Sequence, residues 1–167
     1  MSRRETAFAL VAVYGDQNAA RADVEIVEEL ATDHDLRLHD IAIVRHEKGG
    51  AITTLQRDAR SSLHGAEAGA LVGALVGILF PPALAGVLVG TATGATIAGL
   101  VTHLWRGLAR SDLRELGEAI EEGECAVVTI GTAPAIDLVE GALAGATRIV
   151  RREIDADLGE LDERSAG

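Results

Sequence analysis

Two histidines and a glutamate stand closest to a chemical site in this sequence. His64 and Glu67 sit at the start of a long uncharged stretch and His103 sits near its end; the other histidines are His34, His39 and His46. If the stretch folds back on itself, His64, Glu67 and His103 reach one level, with the side-chain types of a metal or proton-sensing site. Zinc usually takes three or four protein ligands. Only one histidine pair and one carboxylate are present here, and polar residues at a membrane interface account for all three without a ligand. The expectation is therefore no bound metal, with His64, His103 and Glu67 as the residues on which a metal would have to rest.

Other chemistry is thinner still. Gly15-Asp16-Gln17-Asn18 follows an apolar run and opens a helical one, a place where phosphate can meet free backbone N–H groups. It carries a single glycine rather than the dinucleotide fingerprint. Ser61 and Ser62 lie near His64 without an elbow motif or an acid, so no nucleophilic triad can be read. The single Cys125 excludes an internal disulfide and a multi-cysteine metal site. It precedes Ala126-Val127-Val128-Thr129-Ile130 and reads as a small core residue. The sequence predicts no enzyme and no cofactor.

The elements around these residues are far more legible. From 68 to 105 run 38 residues without Asp, Glu, Lys or Arg, in a chain that is 25% charged. The stretch is broken once, at Phe80-Pro81-Pro82, where adjacent prolines cannot continue a helix. Glycines fall at Gly65, Gly69, Gly73 and Gly77 before this corner, and at Gly86, Gly90 and Gly94 after it, with Ala98 in register. A helical glycine costs about 1 kcal/mol relative to alanine. Spacing of four gathers these on one face of each arm, where missing side chains let two backbones approach closely and offset that cost. The spacing predicts a glycine-zipper helical hairpin over 65–101 with its corner at Pro81 and Pro82.

Two settings suit such a hairpin. As helices, Gly65–Phe80 would span about 24 Å and Ala83–Val101 about 28 Å, close to the roughly 30 Å of a bilayer core. Arg57 and Arg60 precede the stretch, while Trp105, Arg106 and Arg110 follow it. That is an interfacial aromatic with a local basic excess where both ends emerge, the pattern of a membrane hairpin anchored on the cytoplasmic side. Glu67 and the threonines Thr91, Thr93 and Thr96 weigh the other way, toward a hairpin buried in a soluble oligomer.

Composition narrows the partners. A net charge of −11 and a pI near 4.8 argue against nucleic acid, which needs clustered Lys and Arg. Ser2-Arg3-Arg4 and the apolar Ala7–Val13 have some features of an export signal, but the run stops at Tyr14-Gly15-Asp16 without a cleavage pattern. A first strand explains it better, and the chain reads as unprocessed.

Outside 65–101 the pattern alternates strand and helix. Thr6–Val13 is a strand and Asp16 an N-cap for a helix with core stripe Ala20, Val24, Val27, Leu30 and Ala31. Asp23, Glu25, Glu28 and Glu29 are read as its solvated face. Asp40–His46 and Ala51–Leu55 flank a turn at Glu47-Lys48-Gly49-Gly50. Ser111 is read as the cap of a helix closed near Gly123, followed by the strand Cys125–Ile130, a helix from Thr132-Ala133-Pro134, and a strand over Arg148–Ile154. The expected fold is α+β: a ferredoxin-like split βαβ domain over 1–64 and 102–155, formed by the first six elements with an extra α-β unit behind, and the hairpin inserted before the second helix. The extra unit would extend the sheet or pair with another subunit, and 156–167 reads as an acidic flexible tail.

These segments resemble an uncharacterised bacterial membrane-protein family catalogued as domain of unknown function 1269. The resemblance rests on Ala12-Val13-Tyr14-Gly15-Asp16, Asp40-Ile41-Ala42-Ile43-Val44, the zipper ending Leu79-Phe80-Pro81-Pro82, and Glu115-Leu116-Gly117-Glu118-Ala119. It implies membrane association and supplies no catalytic residues. The residues and the resemblance together predict a non-enzymatic homo-oligomer at the inner membrane, its soluble domain cytoplasmic, in contact with lipid and with itself. The alternative is a soluble, cytoplasmic assembly whose hairpins share a buried core, with room for a small ligand.

Overall fold

Two strands with apolar residues on both faces organise the molecule. The computed structural model describes residues 6–34, 38–49, 52–57 and 110–157. Their elements are β1 (Thr6–Tyr14), α1 (Gln17–Asp33), β2 (Leu38–His46), β3 (Ile52–Arg57), α2 (Arg110–Glu118), β4 (Cys125–Thr132), α3 (Ala133–Ala142) and β5 (Arg148–Asp157). The expected hairpin over 65–101, with Pro81 and Pro82, lies outside the described residues. Among the described residues no helix is long and apolar enough to cross a membrane.

The strands form one five-stranded sheet in the order β3-β2-β4-β1-β5, antiparallel at every pairing. β1 and β4 sit at the centre, with Val11 opposite Val128 and Val13 opposite Ala126. Continuous apolar runs are what a strand covered on both faces requires, and every hydrophobic residue from Leu10 to Tyr14 is fully buried.

The fold is α+β, but its elements combine differently from the sequence expectation. The first six elements do not form a unit by themselves. β1 and β2 run parallel with β4 between them, and β4 and β5 run parallel with β1 between them. The last helix and strand are thus no appendage: α3 is the crossover from β4 to β5, and β5 extends the sheet beside β1. β3 is the strand added at the opposite edge. β5 also carries the chain to Asp157, into residues read as the start of a tail.

Local signals explain the boundaries. The Asp16 carboxylate accepts from the Asn18 N–H at 3.0 Å, capping α1. Pro134 stands in the first turn of α3 behind the extended cap residue Thr132. Gly49 (φ 97°) and Gly123 (φ 86°) supply the left-handed positions in the turns after β2 and before β4. Ser111 lies inside α2, which begins one residue earlier at Arg110.

α1 and α3 lie on one face of the sheet. There Leu10, Ala12 and Tyr14 of β1, Ile41 and Ile43 of β2, and Cys125 and Val127 of β4 pack against Ala20, Val24, Val27, Ile136 and Val139. The alternate residues face the other way, and α2 meets that side at β5.

Candidate functional site

The polar residues of the described domain collect where β1 ends and β4 begins. β1 delivers Tyr14, the cap residue Asp16 and the start of α1, while β2 brings Arg45 and His46 to the same end. Arg45 stands opposite Cys125 in the sheet and donates from Nη2 to Gln17 Oε1 at 2.5 Å.

Tyr14 and Asp23 form a buried polar contact between β1 and α1. The Tyr14 hydroxyl donates to Asp23 Oδ2 at 2.9 Å, and the Gly145 N–H donates to the same oxygen at 2.8 Å. Tyr14 is fully buried and Asp23 is 8% exposed. Burial, more than the neighbouring carboxylate, pushes the Tyr14 phenol well above its ordinary range. Asp23 therefore belongs to the core side of α1 and not, as expected, to its solvated face. The signal was present, since 20, 23, 24 and 27 share one helical stripe. What misled was residue type: a carboxylate enters a core when donors meet it.

The same end is stitched together by backbone acceptors. His46 Nδ1 lies 2.9 Å from the Ile120 carbonyl, an acceptor-only group, so Nδ1 carries the hydrogen. Gly123 N–H donates to the His46 carbonyl at 2.7 Å. Arg148 Nη2 donates to the Ala119 carbonyl at 2.7 Å and to Glu124 at 2.8 Å. These contacts bind the turn between α2 and β4 to the sheet, and none of them was foreseeable from local spacing.

Within the cluster the polar groups engage one another. The Cys125 thiol is buried, 3.5 Å from the Tyr14 carbonyl; burial pushes it up, while nearby Arg45 pulls less strongly the other way. The expectation of a core cysteine stands on that geometry. Asp16 places a carboxylate at the N-terminus of α1, where phosphate would have to bind, and its oxygen takes an N–H that an anion would use. Among the described residues no group of three His, Cys, Asp or Glu could hold a metal ion.

Along β5 the arginines tie helices to the sheet. Arg151 meets Asp137 at 2.5 Å and Glu140 at 3.4 Å on α3, with its guanidinium 4.6 Å over the Phe8 ring. Arg152 pairs with Glu115 on α2. His64, Glu67 and His103 lie outside the described residues, as do the packing positions Gly65, Gly69, Gly73, Gly77, Gly86, Gly90, Gly94 and Ala98 and the anchors Trp105 and Arg106. Arg110 is the first residue of α2.

No curated protein and no solved structure matches the chain. A family model does, over residues 66–163. Leu79-Phe80-Pro81-Pro82 and Glu115–Ala119 fall within that match, while Ala12–Asp16 and Asp40–Val44 precede it. More than half of the 167 residues are covered, and the chain belongs to the family described as Protein of unknown function (DUF1269).

Proposed function

We propose that the protein is a membrane-associated homo-oligomer that acts by assembly rather than by catalysis, anchored through a glycine-zipper hairpin over 65–101. The observation that carries this reading is the uncharged run from 68 to 105 with glycines four residues apart on each side of Pro81-Pro82, set between basic flanks. Topology supports it. β3 runs toward the end of the sheet where β1 starts. α2 rises from that same end, since Glu115 pairs with Arg152 and the Ala119 carbonyl with Arg148 further along. A segment that leaves and returns at one end of a domain can enter a bilayer and come back on the same side.

The domain itself is read as ferredoxin-like, built from β1, α1, β2, β4, α3 and β5, with β3, residues 58–109 and α2 inserted between its second and third strands. The interleaved strand order supports that reading. The excess of arginine beside the stretch supports a cytoplasmic position for the domain at the inner membrane.

Alkaline carbonate extraction tests the proposal. Membranes from cells producing the full chain should retain it through the wash. Its release as a large, detergent-free particle would replace this reading with the soluble assembly.

A further inference from the structure

Ile26 and Leu138 are the exposed large hydrophobic residues among those described, at 47% and 39%. One lies on α1 and the other on α3, and helical phase sets them on facing flanks. α1 turns the stripe Ala19, Asp23 and Ile26 toward α3, because Asp23 accepts from the Gly145 N–H in the loop that follows α3. α3 turns Asp137 and Glu140 toward Arg151 of β5. β5 and α1 lie on opposite sides of α3, since α1 links the strands flanking β4 and α3 links those flanking β1. Leu138 and Gly141, on the flank away from Glu140, therefore face α1.

The two helices run antiparallel, each returning from one of two antiparallel strands. The end of α3 thus meets the start of α1. Ile26, about one turn beyond Asp23, and Leu138, about one turn before the end of α3, stand on the two lips of a shared groove. The residues beside them are small: Ala22 and Gly141 are exposed, and a Cβ at Gly141 would meet nothing within 4 Å. Charge around the groove has one sign. α1 exposes Glu25, Glu29 and Asp33, and α3 exposes Asp137 and Glu140 with no basic residue. Arg21 is the basic residue of α1, and it lies five positions before Ile26, about 140° round the helix.

We propose that this groove docks a basic amphipathic helix of another protein, with its apolar stripe on Ile26 and Leu138 and its Lys or Arg against the acidic rim. A second copy of the chain would bring the same acids to the groove, and like charges at contact oppose it. An anionic lipid surface is opposed for the same reason. The small residues between the lips let a helix settle close to both of them. The docking does not depend on the membrane reading, and carbonate extraction does not bear on it.

Photocrosslinking to a model helix tests it. The probe is a biotinylated peptide of about 14 leucines and lysines, spaced so that leucine fills one helical face. The full chain, in a Cys125→Ser background, carries a benzophenone at Ala22→Cys or, as control, at the adjacent Arg21→Cys on the far flank. Ala22→Cys should capture the peptide and Arg21→Cys about ten-fold less. Adding Ile26→Ser and Leu138→Ser, both exposed positions, should cut capture at Ala22→Cys about ten-fold while circular dichroism stays native. The same peptide with glutamate for lysine should not be captured. No capture at Ala22→Cys, equal capture from both positions, capture unchanged by the double substitution, or equal capture of the glutamate peptide would each overturn the docking. Crosslinks from Ala22→Cys to a second copy of the chain in place of the peptide would give the groove to self-assembly and overturn it as well.

Discussion

The two faces of the sheet are equally buried and differently made. On the α1/α3 face, large residues such as Leu10, Ile43 and Tyr14 meet two helices, and a carboxylate is admitted because two donors converge on it. On the opposite face, alanine and valine predominate around β1 and β4, with no charged residue among those that line it at the centre. The first is a core with a polar lock that fixes one arrangement. The second is a smooth aliphatic surface at its centre, met at the β5 edge by α2.

The largest expected effect breaks the lock. Asp23→Ala leaves the buried Tyr14 hydroxyl without its acceptor, at about 1–3 kcal/mol, while the exposed Gly145 N–H loses its partner and turns to water. A total loss of about 2 kcal/mol or more should appear in urea unfolding of the purified protein. Asp23→Asn keeps an acceptor and should lose less. Gly145→Ala tests the same contact from the loop, because a Cβ there would stand 3.0 Å from Asp23 Oδ2. Wild-type stability in Asp23→Ala would mean that the lock holds nothing.

A middle-sized effect compares the faces directly. Val127 and Val128 are neighbours on β4, each fully buried, one on each face. Val127→Ala and Val128→Ala should each cost about 2 kcal/mol in the full chain, from lost transfer energy plus a cavity. Substitution of an exposed valine would cost well under about 0.5 kcal/mol. A negligible loss in Val128→Ala beside a normal loss in Val127→Ala would show the second face to be bare in solution.

How much of this was legible depended on the range of each interaction. Strands announced themselves because Ala7–Val13 and Cys125–Ile130 are apolar on both faces, and Asp16 and Pro134 marked helix starts through local backbone chemistry. The partnering of those elements was less accessible. The last α-β unit was read as an addition, since chain order does not reveal that β5 lies beside β1 while β2 lies beyond β4. Arg45 and Gln17 are 28 residues apart, and Gly145 is 122 from Asp23. Such contacts arise only when the sheet has brought the residues together. Asp23 differs, because its position on the 20-23-24-27 stripe was readable and its charge hid it.

The smallest effect is confined to alkaline solution and again singles out the lock. Tyr14 is the only tyrosine in the chain, so phenol ionisation reports on this site alone. In the folded protein burial and the Asp23 contact both favour the neutral phenol, holding it above the ordinary value of 10.0. In the unfolded chain the phenol ionises near that ordinary value. Below it both states keep the proton and the contribution to stability is fully present. Above it the unfolded state alone gives up the proton, so stability falls by about 1.4 kcal/mol per pH unit. Tyrosinate absorbance should therefore rise with unfolding and not before it, and Tyr14→Phe should flatten this part of the stability profile. Ionisation of Tyr14 near pH 10 while the circular dichroism stays native would place the hydroxyl in water and dissolve the contrast between a locked face and a smooth one.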